Sequence, residues 1–246
     1  MIKRTAAVFG WLVAGHVVLG GLYWALLHVP ESNVLMLTTS LLLVLALVWG
    51  TGAVEGAGLL ASGSGMSVRS QLVPGLKRAW LVILPLLLFA AIFWMTGRIS
   101  DWFARYGSQM DAWIILKTGW TKADRVKPAF AHIMAFVRWG IGLSLALALF
   151  RELLLGGVGA LAARPAWLTR AMHWKALLVF ALGLVFGWLL PWHVANWHWV
   201  PASQVGTWFE PAFATVKLSM VFVWMNAVWA IVLGFVARDH VRTTTA

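Results

Sequence analysis

The sequence predicts an all-α, polytopic membrane protein. Hydrophobic residues make up 61% of the 246 residues, charged residues make up only 11%, and the mean hydropathy is +0.83. Soluble domains are nearer half apolar and a quarter charged. A helix needs roughly 20 apolar residues to cross a hydrocarbon core of about 30 Å. Six apolar blocks have about this length, at residues 6–29, 34–60, 79–97, 129–150, 175–193 and 211–237.

These blocks predict six transmembrane helices, arranged as three hairpins in a single domain, 1–246. Their hydrophobicity is continuous rather than alternating, which favours helices over a β-barrel. The first block begins like a signal peptide but lacks a small-residue cleavage site, so we interpret it as a retained span. Between the spans we expect a flexible linker at 61–65, a turn at Pro74-Gly75 and a helix break at Arg164-Pro165.

The net charge of +11 is interpreted as a signal of topology rather than of nucleic-acid binding. With the N-terminus in the cytoplasm, eleven of the nineteen Lys and Arg residues lie inside and six lie outside. This excess follows the positive-inside rule. We therefore predict that both termini are cytoplasmic and that the protein lies in a bacterial inner membrane. The expected partners are membrane lipids and other membrane subunits, with no nucleic acid.

The segment after the third block has the pattern of an amphipathic helix. Apolar residues recur every three or four positions from Ile99 to Ile114, with polar residues between them. This pattern predicts a separate interfacial helix over 99–116 on the outer face of the membrane. Such a helix acts as a lid or docking surface, or it rests on lipid as a connector, and we favour the connector. Most of the eighteen Trp residues lie near the predicted span ends, as in the aromatic belts of membrane proteins.

Two basic residues lie within predicted spans and indicate a binding site near the outer leaflet. Arg138 is followed by small residues at four-residue steps, which predicts that it faces other helices. Lys217 lies at a comparable depth, but it has bulky helical neighbours and we expect it to snorkel to the headgroups. With Trp113 and Trp208, these residues form the predicted contact site for an anionic lipid or an apolar ligand.

An acidic residue, Glu55, lies near the inner end of the second block. A carboxylate near a helix C-terminus faces the negative end of the helix dipole, so we predict an ion pair with Arg151 or Lys77. The alternative is that the surrounding glycines end the helix by Gly52, which would leave Glu55 solvated. Proton coupling is less favoured, because no second buried acid is evident to complete a relay.

The histidines raise a further alternative. His28, His132, His193 and His198 all fall near the outer face, and two of them at matching depth would suffice to hold haem b. Interfacial histidine is also ordinary, and His16, in mid-span, has no histidine at its depth. The chain contains no cysteine, so thiolate metal sites and disulfides are excluded.

No catalytic motif is present, whether a phosphate-binding glycine loop, a Ser-His-acid pattern or His-Glu-x-x-His. We therefore predict a non-enzymatic integral membrane component without a cofactor. It would be an accessory or scaffold subunit, or a small transporter-like bundle that contacts an anionic lipid or apolar ligand at the outer leaflet. The alternatives are a haem- or quinone-binding electron-transfer subunit, and a lipid-modifying enzyme that uses His193, His198 or Glu210.

Overall fold

The computed structural model describes residues 2–30, 33–64, 67–119, 126–159, 166–197 and 202–238, and all regular structure in these ranges is helical. The α-helices are α1 (Ile2–Leu27), α2 (Val34–Ser64), α3 (Val68–Arg78), α4 (Ile83–Thr118), α5 (Val126–Ala135), α6 (Gly142–Gly156), α7 (Ala166–Ala171), α8 (Trp174–Leu184), α9 (Leu190–Asn196) and α10 (Phe209–Arg238). A 3₁₀ turn, Ala79–Val82, joins α3 to α4, and Ala202–Gln204 forms another. Two π-helical segments, Phe136–Ile141 and Val185–Leu189, join α5 to α6 and α8 to α9.

Six helical stretches are long and apolar enough to cross a membrane, which confirms the predicted number of spans. They are Thr5–Leu27, Val34–Gly63, Val68–Thr118, Pro128–Gly156, Trp174–Asn196 and Phe209–Ala237. We refer to them as spans one to six. Their bounds agree with the apolar blocks to within three residues, except that span three extends far beyond both predicted ends and span four extends six residues beyond its predicted end.

The predicted separate interfacial helix over 99–116 is wrong, because α4 runs unbroken from Ile83 to Thr118. No proline interrupts the chain between the apolar and amphipathic halves, and the helix ends only at Gly119, whose φ of 66° is left-handed. At about 1.5 Å per residue this helix is about 54 Å long, well beyond a hydrocarbon core of about 30 Å. The amphipathic pattern therefore marks the second half of one long helix.

Two predicted breaks near the inner end of span two are also wrong. Helix α2 continues to Ser64, through most of the expected linker at 61–65 and past Gly52. Pro74 lies inside α3, so the expected turn at Pro74-Gly75 is instead helical. Glycine at this position permits close packing of two helices and does not break the helix. A Cβ at Gly75 would lie 3.1 Å from the backbone nitrogen of Ala57. Glycine here allows α3 to approach α2 closely.

Helix α2 is the centre of the bundle and packs against α1, α3, α6 and α10. The main core is formed by buried apolar side chains of α1, α2, α6, α8 and α10, including Leu12, Val54, Phe150, Phe180 and Leu233. Close approach again depends on glycine, because a Cβ at Gly52 would overlap the carbonyl oxygen of Ala79. The tight packing of α2 fixes which of its faces meets each neighbouring helix.

Candidate functional site

Four polar side chains from three helices meet inside the bundle. His16 of α1 lies between Asn226 of α10 and Glu55 of α2: its Nδ1 is 2.6 Å from Asn226 Oδ1, and its Nε2 is 3.1 Å from Glu55 Oε1. The indole Nε1 of Trp229 donates a hydrogen bond of 2.8 Å to the other oxygen, Glu55 Oε2. We call this set the polar chain: Asn226, His16, Glu55 and Trp229.

The polar chain lies deep within the spans. His16 is eleven residues from Thr5, Asn226 is eleven residues from Ala237, and Glu55 is eight residues from Gly63. At about 1.5 Å per residue, the polar chain is therefore about 12–17 Å from these three helix ends. The ends lie on the same side of the bundle, because Gly58 of α2 lies close to Leu12 of α1 and Leu233 of α10, and Gly63 lies close to Ala237. Polar groups at this depth are costly unless they bond to one another.

Glycine allows the helices that carry the polar chain to approach one another. A Cβ at Gly15, the residue before His16, would lie 2.6 Å from both methyl groups of Val54, the residue before Glu55. The indole Nε1 of Trp11 also donates to the carbonyl oxygen of Val54 at 2.9 Å. These contacts hold α1 and α2 together, so that His16 meets the carboxylate directly.

The partners of Asn226 determine where the hydrogens of His16 lie. The amide Nδ2 of Asn226 donates to the carbonyl oxygen of Phe222 at 2.9 Å, so its Oδ1 is the atom that faces His16 and accepts. His16 Nδ1 is therefore the donor in that bond, and Nε2 faces the carboxyl group. If His16 Nε2 and Glu55 Oε1 both lacked a hydrogen, two lone pairs would face each other across 3.1 Å. We conclude that one proton lies between these two groups.

A cavity of about 430 Å³ adjoins the polar chain. Five of the six spans line it, all except span three, and its polar lining residues are His16, Glu55 and Asn226. The rest of the wall is apolar or aromatic, and the aromatic residues are Trp139, Phe180, Trp188, Phe222 and Trp229. Ligand pockets in proteins have this size and this mixture of a large apolar surface with a few polar groups.

Two aromatic residues at the edge of the cavity are carried by the π-helical segments. Trp139 lies in Phe136–Ile141 and Trp188 lies in Val185–Leu189. Their rings stack with centroids 6.1 Å apart and an angle of 16° between the planes. They are 38% and 49% exposed, and both line the cavity. Single π-helical turns in α-helices are frequent at functional sites.

The structure corrects the predicted partners of Glu55. Its carboxylate contacts His16 and Trp229 rather than Arg151 or Lys77. Successive residues of a helix point about 100° apart, and the next two residues of α2 show the result. Gly56 faces Phe150 and Leu154 of α6, and Ala57 faces α3, so Glu55 is turned toward α1 and α10. The face of α2 that carries Glu55 was therefore predicted wrongly.

Arg138 and Lys217 have separate partners in the structure. The Nε of Arg138 donates to the hydroxyl of Thr96 at 2.8 Å, its Nη2 lies 3.4 Å from the hydroxyl of Ser100, and its guanidinium lies over the ring of Phe93. It therefore faces a neighbouring helix, as the small-residue pattern predicted. Lys217 Nζ donates to the carbonyl oxygen of Trp197 at 2.9 Å. Neither residue lines the cavity.

The two tryptophans of the predicted lipid contact and two of the predicted haem histidines lie on the surface of the bundle. Trp113 is 62% exposed and Trp208 is 79% exposed, and their role in lipid contact stays a prediction. His28 and His132 are exposed, and the Nδ1 of each lies within hydrogen-bonding distance of the carbonyl oxygen four residues earlier, at 2.8 Å and 2.5 Å.

His193 is exposed on α9, whereas His198 lies outside the described residues. Within the described ranges, no group of three or more His, Asp and Glu side chains is placed to hold a metal ion. The haem b alternative therefore stays a prediction.

Three members of the polar chain were missed as site residues from the sequence, namely His16, Asn226 and Trp229. Two signals were available. His16 was isolated in mid-span, and Asn226 is a polar residue the same number of positions from the end of span six as His16 is from the start of span one. A comparison of the depths of polar residues on different spans would have predicted that His16 and Asn226 lie close together.

Comparison of the chain with protein-family models, with curated proteins and with solved structures finds no match. The site is therefore interpreted from its own geometry.

Proposed function

We propose that this protein is a transporter-like membrane bundle that binds an apolar ligand in its internal cavity. The observation that carries the proposal is a cavity of about 430 Å³, largely apolar and aromatic, with one hydrogen-bonded polar chain in its wall. The apolar wall would exclude water from the body of the ligand, and the polar chain would orient one polar group of it. Binding requires no chemistry, in agreement with the expected non-enzymatic role.

A purely structural role for the polar chain is the main competing explanation. Hydrogen bonds between spans do stabilise helix association, by about 0.6 kcal/mol on average and up to about 1.7 kcal/mol. However, a structural cluster needs no empty space beside it, and interiors are close-packed. Here His16, Glu55 and Asn226 all face the cavity as well as one another. An ionisable residue inside a span is costly, which favours a functional explanation.

The proposed route of entry is from the lipid, between spans four and five. Trp139 and Trp188 line the cavity, belong to these two spans and are both exposed. An apolar ligand is concentrated in the bilayer and would reach the cavity past this pair without crossing water. The binding site is thus proposed inside the bundle, rather than under an outer helix as the sequence predicted.

The orientation deduced from charge is part of the proposal, with both termini in the cytoplasm of a bacterial cell. Since the chain has no cysteine, single cysteines are clean topology probes. Ser67 precedes α3 and Ser108 lies in the second half of α4, and both are exposed. A cysteine at position 67 should react with impermeant maleimide only from the inside and one at 108 only from the outside. The reverse pattern would contradict the orientation.

The ligand-binding proposal is tested with a neutral apolar fluorophore, N-phenyl-1-naphthylamine, added to the protein in lipid nanodiscs. Energy transfer from tryptophan to the probe should contain a saturable component. Leu184→Trp places a large side chain in the cavity and should weaken that component by about tenfold. Leu182→Trp adds the same donor on the exposed face of α8 and should leave it unchanged. Equal behaviour of the two variants would contradict the proposal.

A further inference from the structure

We infer that the ligand is a lipophilic organic cation with a single positive charge, which exchanges with the proton held between His16 and Glu55. This inference rests on the proposed function and names its substrate class. It is carried by the charges that face the cavity and by the aromatic residues around them.

The charge facing the cavity is set by one proton. Of its lining residues, only His16 on α1 and Glu55 on α2 are ionisable. The lining residues of spans four and five are apolar, aromatic or glycine, and span six adds only the uncharged polar groups of Asn226 and Trp229. While the pair holds its proton, the lining is neutral overall. When the proton leaves, the lining carries one net negative charge.

A net charge facing a largely apolar and aromatic lining is unfavourable, so we expect loss of the proton to be coupled to the entry of another positive charge. The exchange balances without any covalent change beyond one N–H or O–H bond. The protonated pair and a free cation become the deprotonated pair with bound cation, and the released proton passes to the aqueous buffer. His16 keeps the hydrogen on Nδ1 that it donates to Asn226.

The aromatic lining favours an organic cation over an inorganic one. Five aromatic side chains line the cavity, and the electron-rich faces of Trp and Phe attract cations. Hard metal ions require several oxygen ligands, whereas this cavity offers one carboxylate and one amide, and both already accept hydrogen bonds. Among the residues that the structure describes, no Lys or Arg lines the cavity, so an anion would find no counter-charge in this lining.

The experiment compares tetraphenylphosphonium with tetraphenylborate, two ions of nearly the same shape and opposite charge. Both are titrated onto the complete protein in nanodiscs in weak buffer at pH 7, with empty nanodiscs subtracted. We expect the phosphonium ion to bind at least about tenfold more tightly than the borate. We also expect about one proton released per bound phosphonium ion, read from a pH indicator. Proton release is measured on the unmodified protein, so it does not depend on whether a variant folds.

Glu55→Gln is the matched variant, because the amide can preserve both hydrogen bonds of the carboxylate. Its nitrogen can donate to His16 Nε2, and its oxygen can accept from Trp229 Nε1, so the fold should be retained. The variant should bind phosphonium at least about tenfold more weakly and release no proton. Glu210→Gln, whose carboxylate accepts from the backbone of Gly206 outside the cavity, should behave like the unmodified protein.

The outcomes separate the two proposals. Equal binding of the two ions, phosphonium binding without proton release, or unchanged binding in Glu55→Gln would overturn the cation inference. If one of these results is obtained and the unmodified protein still binds naphthylamine, the proposed function stands. Absence of saturable binding of all three probes would overturn both.

Discussion

Glu55 and Arg138 are both charged residues placed within spans, yet the structure surrounds them differently. The carboxylate of Glu55 is held by side chains of α1 and α10, and it faces a cavity. The guanidinium of Arg138 is held by two hydroxyls and a ring, all from α4. The contacts of Glu55 join three helices beside the cavity. The contacts of Arg138 join its segment to α4, and Arg138 does not line the cavity. Under the proposed function, the cavity beside the polar chain, rather than charge alone, distinguishes the binding site at Glu55 from the structural contact at Arg138.

The largest expected effect is the loss of stability when Glu55 is truncated. In Glu55→Ala, the Nε2 of His16 and the indole N–H of Trp229 both lose their partner. Each unsatisfied buried group costs about 1–3 kcal/mol, so the free energy of unfolding should fall by about 2–6 kcal/mol. Glu55→Gln, which preserves both bonds, should cost less than about 1 kcal/mol. Equilibrium unfolding in mixed micelles checks this, and similar losses in the two variants would contradict the hydrogen-bond arrangement.

Glycines near the two sites provide the next test of the comparison. A Cβ at Gly52 would overlap backbone atoms of Ala79, which cannot move aside without shifting the chain, so Gly52→Ala should cost about 1–3 kcal/mol. A Cβ at Gly97 would lie 3.9 Å from the guanidinium of Arg138, an ordinary contact. Gly97→Ala should therefore be neutral or stabilising by up to about 1 kcal/mol, because alanine favours the helix. A larger loss at Gly97 would reverse the expected order.

Coupling within the polar chain should be measurable in a double-mutant cycle. Asn226→Leu removes the acceptor of His16 Nδ1, and His16→Phe removes the donor. Because the two changes break the same bond, the double variant should be less destabilised than the sum, by about 0.6–1.7 kcal/mol. Thermal unfolding in detergent provides the four values. Strict additivity would mean that His16 and Asn226 do not interact.

The smallest effect is expected at Arg138. Arg138→Gln should lower the unfolding free energy by about 1 kcal/mol or less, and it should leave naphthylamine and phosphonium binding unchanged. Native mass spectrometry tests its predicted contact with lipid: fewer anionic lipids should remain bound, whereas Arg105→Gln on an exposed position of α4 should retain them. If Arg138→Gln abolished phosphonium binding, the separation of the two sites would be wrong.

Much of the fold could be predicted from sequence because hydrophobic length alone identifies a span. The number of spans needed no knowledge of packing, and Glu55 stood out as an acid inside one. The contacts of Glu55 could not be predicted, because they depend on the face that α2 turns to each neighbour, which close packing at Gly52 and Gly56 decides. The continuity of α4 was missed because an amphipathic pattern marks a change of environment, not a break in the helix.

The π-helical segments Phe136–Ile141 and Val185–Leu189 have a consequence for how this sequence should align with others. A π-helical turn arises when one residue is inserted into an α-helix without breaking it. The side chains beyond the insertion are then rotated by about 100° relative to an uninterrupted helix. A relative without this cavity should therefore show a one-residue gap in the middle of spans four and five, where membrane helices normally align without gaps. Such a gap would mark the evolutionary step that placed Trp139 and Trp188 beside the polar chain.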